Sequence, residues 1–292
     1  MVEKFLDYIK FERNYSPMTV INYRKDLTEF ERFYKELEPQ LSWESIDSDI
    51  VRNWMEYMMD RGNSASSVNR RLSALRSFYR FALRRKLIEK DPAHGLQGPK
   101  KQKPLPQFLK ESEMERLLDS KMWGDSYKDV LERTIIITFY VTGVRLSELI
   151  GLDDKDIDNI TCEIKVTGKR NKQRIIPFGK ELAEVFAQYL QVRNTTVKGD
   201  STAFFQTEKG KRMTTAQVRS LVKKNLSKVS TLKKRSPHVL RHTFATAMLN
   251  HEAGLESVKK LLGHESLSTT EIYTHTTFEQ LKKVYKNAHP RA

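Results

Sequence analysis

The sequence has a single cysteine, Cys162, among 292 residues. A lone thiol closes no internal disulfide and builds no cysteine zinc site, which fits a reducing compartment. There is no run of about 18 apolar residues, so no membrane-spanning helix is expected. The opening Met1-Val2-Glu3-Lys4-Phe5-Leu6-Asp7 is too short in apolar residues for a signal peptide. Metal motifs are lacking too. His238, His242 and His264 could be zinc ligands, but the glutamate of an HExxH motif is missing and Arg241 lies among them. Asp154-Lys155-Asp156-Ile157-Asp158 starts like a calcium loop, yet Asn159 replaces the required glycine and Lys165 the closing glutamate. A two-metal nuclease would need clustered carboxylates, whereas the conspicuous patches here are cationic. No metal site is expected.

What the chain does have is positive charge. It carries 52 Lys+Arg against 37 Asp+Glu, a formal charge of +15. Residues 1–61 are slightly acidic, so the surplus lies elsewhere. Gly62 to Gln107 hold eleven Lys/Arg against only Glu89 and Asp91, and Lys209 to Arg241 hold eleven with no carboxylate. Phosphate backbones reward such stretches, because each neutralised phosphate releases condensed counterions. A solvated helix face would explain one such run; two favour nucleic acid. Hydrophobic residues make up 38% of the chain and aromatics 10%, enough for real cores. At roughly 100–200 residues per domain, the length suggests two domains.

The first hundred residues read as helices. Ser16 can cap and Pro17 fits the first helical position, with Val20, Tyr23, Leu27, Phe30 and Phe33 or Tyr34 at helical spacing. Ile50, Trp54, Tyr57 and Met58 mark a second helix, ended near Arg61-Gly62-Asn63. A third runs from about Ser66 to Lys86. Its Leu72, Leu75, Tyr79, Ala82 and Leu83 share one face, and Arg76, Arg80 and Arg84 form a row on another. Such a row on a core-packed helix suits duplex contact, although an ordinary amphipathic helix has the same pattern. Gly95 to Pro106 combines Gly, Pro and Lys without apolar periodicity, as an exposed linker does. The expected division is a helical domain at 1–97, a linker at 98–107 and a second domain at 108–292.

The second half is mixed. A short helix is expected at Leu109 to Leu118, capped near Lys110-Glu111-Ser112, and a buried helix at Val130 to Thr142. Cys162 to Val166 and Arg174 to Phe178 read as strands joined by a cationic turn, Thr167-Gly168-Lys169-Arg170-Asn171-Lys172-Gln173. After Pro177 the chain is helical nearly to its end, with a possible strand at Ala203-Phe204-Phe205. Ser236 and Pro237 start a helix that places His238 and Arg241 on one face and turns Leu240, Phe244 and Ala247 to the core. Leu261-Leu262-Gly263-His264 ends another, with Gly263 at C′. Ser268-Thr269-Thr270-Glu271 is a capping box before Tyr273, and Thr277-Phe278-Glu279-Gln280 is a second, followed by an apolar face of Leu281, Val284 and Tyr285.

Singly, these residues have plain readings: Arg145 could pair with Glu148, His238 could be a capped helix residue, and Tyr273 could be core. Together, Arg145, Lys169, His238-x-x-Arg241, His264 and Tyr273 resemble the active-site set of the tyrosine recombinase (phage integrase) family, in the same order. The surrounding words agree: Thr142-Gly143-Val144-Arg145-Leu146-Ser147-Glu148-Leu149, His238-Val239-Leu240-Arg241-His242-Thr243-Phe244-Ala245-Thr246 and Leu261-Leu262-Gly263-His264. In the N-terminal half, Tyr15-Ser16-Pro17-x-Thr19 and Arg71-Leu72-Ser73-Ala74-Leu75-Arg76-Ser77-Phe78-Tyr79 match as well. The resemblance covers nearly the whole chain and is strongest to compact Xer-type members. One position departs: Arg170 stands where relatives usually have glycine, leaving Lys169 and Lys172 as candidates for the turn lysine. Lys169 is preferred because it directly follows Gly168.

The resemblance implies a mainly α fold with a small β-sheet in the C-terminal domain. The implied architecture is a two-domain, C-shaped DNA clamp, with a SAM-like helical core-binding domain and a tyrosine-recombinase catalytic domain. It implies that Tyr273 attacks a DNA phosphodiester to give a 3′-phosphotyrosyl bond, without a cofactor. Arg145 and Arg241 would clamp the phosphate, Lys169 would protonate the leaving oxygen, His238 would assist proton transfer and His264 would donate to the phosphate. Glu148 would orient Arg145, and His242 is expected to be structural. Arg70, Arg71, Arg76, Arg80, Arg84, Lys100, Lys101, Lys103, Arg212, Arg219 and Lys223 are the expected DNA contacts. The implied partners are double-stranded DNA and, through an exchanged helix at about 277–288, further copies in a homo-tetramer or a pairing with a paralogue. The implied location is the cytoplasm, at the bacterial nucleoid. A type IB topoisomerase and a non-catalytic DNA-binding protein on the same scaffold are the alternatives.

Overall fold

A computed structural model describes residues 1–101, 107–168, 171–263 and 275–291, with backbone alone at 275–280. The chain divides into two compact units, Met1–Pro104 and Leu105–Ala292. The division falls within the segment expected as linker. Lys103, Lys169, Arg170, His264 and Tyr273 lie outside the described residues.

The N-terminal unit is built from α1 (Val2–Asp7, continued as a π-helical turn Tyr8–Glu12), α2 (Pro17–Leu37), α3 (Ser48–Asp60) and α4 (Ala65–Arg84). Ser16 caps α2 by accepting the Thr19 N–H, Asp47 caps α3, and Ser64 caps α4. Each supplies an oxygen to an N–H that has no partner within its own helix. The core is aromatic: Phe30, Trp54, Phe78 and Tyr79 are almost fully buried and Trp43 packs among them. Two expected core positions differ. Leu83 is 41% exposed and Tyr57 37%, because the buried stripes run instead through Val68, Leu72, Leu75, Phe78 and Ala82, and through Val51, Trp54, Met55 and Met58. The segment after α4 is less open than its composition suggests. Ala93 and Leu96 enter the core, and Asn69 Nδ2 donates to the Pro99 carbonyl at 2.8 Å.

In the C-terminal unit, α6 (Tyr127–Thr142) runs through the core between α8 (Lys180–Thr196) and α10 (Pro237–Asn250). From Thr134 to Thr142 every residue of α6 is buried, including three threonines. Their hydroxyls each donate one turn back, Thr134 to Val130, Thr138 to Thr134 and Thr142 to Thr138, so none of these three hydroxyls is left without an acceptor. Glu132 is matched by the Asn225 amide at 2.7 Å and Lys224 at 3.1 Å. Around this core lie α5 (Glu111–Leu118), α7 (Leu146–Gly151) and α9 (Thr215–Val229), together with α11 (Leu255–Leu262) and α12 (His275–Ala288). β1 (Ile157–Asp158), β2 (Glu163–Thr167) and β3 (Gln173–Pro177) form an antiparallel sheet in that order. No strand forms at Ala203-Phe204-Phe205: Ala203 makes one bridge to Asp153, and the two phenylalanines are held in the core. Ser236 leads into α10 without a side-chain capping bond, Pro237 alone marking the start. α12 begins at His275, ahead of the capping pattern at Thr277.

Candidate active site

Gly143 ends α6 in the left-handed conformation, with φ 60°. A Cβ there would lie 2.5 Å from Phe244 of α10 and 2.9 Å from Leu262, so only glycine permits both the turn and the close helix approach. Arg145 follows at the start of α7. Its N–H donates to Glu148 Oε2 at 2.8 Å and its Nη1 to Glu148 Oε1 at 2.7 Å, so the carboxylate holds both backbone and side chain. Arg145 Nη2 donates to the Gly263 carbonyl at 2.7 Å.

Arg241, the fifth residue of α10, is 8% exposed. It donates to the carbonyls of Gly143 and Leu262, each at 2.6 Å. Burial lowers its pKa, and the charge of Arg145 adds to this, bringing it to about 10. It therefore keeps its proton at neutral pH but gains from any anion that approaches. Gly263 ends α11 at φ 65°, turning its last carbonyls toward the arginines. These carbonyls have no helical partner of their own. Leu261, Leu262 and Gly263 are taken in succession by Arg174, Arg241 and Arg145.

Glu148 is 3% exposed. Burial opposes its charge, but hydrogen bonds and charge from Arg174, with Arg145 beside them, prevail and hold its pKa down at about 2. His238 is exposed on the same face of α10 as Arg241. Partial desolvation lowers its pKa, and the charges of His242, Arg241, Arg219 and Arg145 act in the same sense, favouring neutral imidazole. His242, expected to be structural, is exposed, although its neighbours Arg241 and Thr243 are buried. On the β2–β3 turn, the Gly168 N–H donates to the Lys172 carbonyl at 2.7 Å.

Arg174 is the residue that sequence reasoning missed. It is paired with Val166 across the sheet and shares its face of β3 with buried Ile176, so its side chain is only 10% exposed. Period two along β3 was the available signal: an arginine at an inward strand position needs a buried acceptor.

The expected DNA contacts separate by surroundings. Arg80, Arg84, Lys100, Lys101, Arg219 and Lys223 are exposed. Arg76 is bonded to the Leu96 carbonyl, and Arg71 holds Glu29 at 2.6 Å with its side chain 19% exposed. Arg70 pairs with buried Asp26 yet keeps half its side chain in solvent. Arg212 donates to the carbonyls of Ile150 and Leu152. Asp154, which opens the rejected calcium loop, pairs with Arg193, and Asp153 before it pairs with Arg212. Among the described residues no cluster of metal-ligating side chains occurs, and no helix is long and apolar enough to cross a membrane.

Arginines hung on backbone carbonyls around one buried carboxylate, with a neutral histidine at their edge, define an anion site of the phosphoryl-transfer kind. Residues 107–280 match the phage integrase family, and residues 2–86 match the phage integrase N-terminal SAM-like domain. The chain belongs to the phage integrase family. A tyrosine recombinase XerC of Chlorobaculum parvum is 37% identical over 321 residues, covering 100% of this chain and 94% of the relative. Another tyrosine recombinase XerC, of Pelotomaculum thermopropionicum, is 38% identical, covering 100% of this chain and 98% of that one. A crystal structure of the XerH site-specific recombinase bound to its palindromic difH substrate shares the fold. Its TM-score is 0.73 at 23% identity, over 97% of this chain and 83% of that chain. The enzyme is a tyrosine-type site-specific recombinase, and the topoisomerase alternative is not favoured.

Proposed function

We propose that the chain binds double-stranded DNA and that Tyr273 is its nucleophile. The Tyr273 Oη attacks the scissile phosphorus as the bond to the 5′-oxygen breaks. That oxygen takes a proton to leave as a hydroxyl, and a 3′-phosphotyrosyl bond remains. Attack by a 5′-hydroxyl of the partner duplex reverses the step, so the phosphodiester energy is conserved and no cofactor is consumed. Arg145 and Arg241 would take the non-bridging oxygens, which gain charge in the transition state. Lys169 is assigned as the acid for the leaving oxygen. Neutral His238 would assist proton transfer at the nucleophile, and His264 would donate to the phosphate. Glu148 aims Arg145. The observation that carries this reading is the pair of guanidiniums bonded to the adjacent carbonyls of Leu262 and Gly263, held before any substrate arrives.

Arg80, Arg84, Lys100, Lys101, Arg219 and Lys223 are the exposed members of the expected contact set, supported by their freedom to face phosphates. The half-exposed Arg70 completes the proposal, together with Lys103, which lies outside the described residues. α12 rests on its own unit's core through Leu281, Tyr285 and Ala288. Its apolar face suits the same docking on a neighbour, giving a tetramer on two duplexes in the cytoplasm at the nucleoid. A chain truncated after His275 should lose synaptic tetramers in sizing experiments; tetramers that persist would remove the exchange.

The mechanism is tested with a nicked suicide substrate, on which wild type should form a covalent adduct and Tyr273→Phe none. An adduct of undiminished yield with Tyr273→Phe would reassign the nucleophile.

A further inference from the structure

Arg174 has no part in the scheme above, yet its hydrogen bonds meet at the centre of the site. Its Nη1 and Nη2 donate to Glu148 Oε1 and Oε2 at 2.7 and 2.9 Å, and its Nε donates to the Leu261 carbonyl at 3.0 Å. All these bonds run inward, and the side chain is 10% exposed, against 35% for Arg145. A Cβ placed on Gly263 would lie 3.2 Å from three atoms of Arg174, so the guanidinium also backs the turn that leads into His264. Arg174 therefore touches the carboxylate that aims Arg145, the helix end whose next two carbonyls hold Arg241 and Arg145, and the turn beyond them. It stands on β3, one residue after the cationic β2–β3 turn.

We propose that Arg174 is a positioning residue for strand cleavage: it locks the Glu148 carboxylate to the end of α11, and so sets the spacing of the Arg145 and Arg241 guanidiniums for the phosphate. The role rests on the reading of those two arginines given above. The planar fork is what the place requires. Three acceptors, two carboxylate oxygens and a carbonyl, take Nη1, Nη2 and Nε of one guanidinium, and an ammonium does not offer that fork. Without the fork, Glu148 keeps Arg145 alone, and the carbonyl row of α11 loses its first anchor. A misplacement of about 1 Å in such a clamp costs on the order of a hundredfold in rate. Among the described residues, the charged groups acting on Glu148 are Arg145 at the cap of its own helix, Arg174 from β3 and Arg241 from α10.

The test uses the full chain and a nicked duplex bearing a site recovered by binding selection from genomic DNA. Adduct formation is measured in single turnover from about pH 5 to 9. Arg174→Lys should keep DNA affinity and thermal midpoint close to wild type while cleaving about tenfold more slowly, and Arg174→Gln about a hundredfold more slowly. With Arg174 gone, burial acts on Glu148 with less opposition and raises its pKa. Arg174→Gln should then fall more steeply in rate toward low pH than wild type, where only His238 protonates, and adding Glu148→Gln should remove that added steepness. Wild-type rates and profiles in both variants would overturn the positioning role, and so would losses fully matched by the unfolded fraction. Should wild type itself form no adduct, the nucleophile scheme fails and this role with it; a wild-type adduct with unaltered Arg174 variants removes this role alone.

Discussion

Each unit buries one carboxylate between two arginines, and the two arrangements differ in what surrounds them. In the N-terminal unit Asp26, 2% exposed, is held by Arg70 and Arg71, and Glu29 stands beside it to take Arg71 at 2.6 Å. Two cations meet two anions, and the cluster ties α2 to α4. In the C-terminal unit Glu148 stands between Arg145 and Arg174, while Arg241 approaches with no carboxylate of its own. There the excess cations are hung on backbone carbonyls, which orient a guanidinium without neutralising it. Arg241's pKa, lowered to about 10 by burial and by Arg145, records the imbalance. A balanced buried cluster serves the fold; an unbalanced one stores affinity for an anion.

Breaking the second cluster at its cations should have the largest effect. Arg145→Lys or Arg241→Lys should lower single-turnover cleavage by about a thousandfold, with the melting temperature nearly unchanged, since lysine cannot donate the same fork. Equal rates for variant and wild type would show that the arginines serve only packing. The two carboxylates should part next. Asp26→Asn should destabilise the N-terminal unit by about 3 kcal/mol in urea unfolding while the folded protein keeps its cleavage rate. Glu148→Gln should instead cut cleavage by about a hundredfold in protein that still folds. Similar behaviour in both variants would erase the contrast.

A third difference concerns pH. His289 is buried against Tyr140, Phe244 and Tyr285, with its pKa pushed down by burial to about 4. The folded state thus refuses a proton that the unfolded chain accepts near pH 6.5, so stability is full above that pH and falls as pH drops toward 4. The loss is about 3 kcal/mol across this window. Urea unfolding of wild type against His289→Phe should show this slope only in wild type; parallel curves would refute it. The smallest effect belongs to the exposed row. Replacing Arg80 and Arg84 with Gln should reduce the salt slope of DNA binding by about 2, one phosphate each, without altering cleavage at saturation. An unaltered slope would place the duplex elsewhere.

Much of the fold was legible locally. Ser16-Pro17, the apolar stripe of α4 and the two short strands all appear within a residue or two of where spacing put them. Errors arose where the stripe drifts, as at Leu83, or where a sequence signal competes with burial, as at Ala203-Phe204-Phe205, whose rings belong to the core and leave no partner strand. Ser236 has the right residue type for a cap, but Pro237 alone marks the start of α10. Arg145, Glu148, His238 and Arg241 could be named as candidates because their motifs are local; Arg174 could not, since its acceptors come from α7 and α11.

What the sequence determined by itself was the class of protein and the inventory of its chemistry. One cysteine, a surplus of arginine and lysine and an ordered set of short motifs suffice for that, because helices, turns and family words are written in neighbouring residues. Tertiary structure alone decided which cations are matched by a carboxylate and which are held on backbone carbonyls. Arg70 and Arg241 look alike in sequence. Only folding brings Asp26 to the first and bare carbonyls, 98 and 21 residues away in the chain, to the second. Charge is a property of the residue, but its balance belongs to the surroundings that folding assembles.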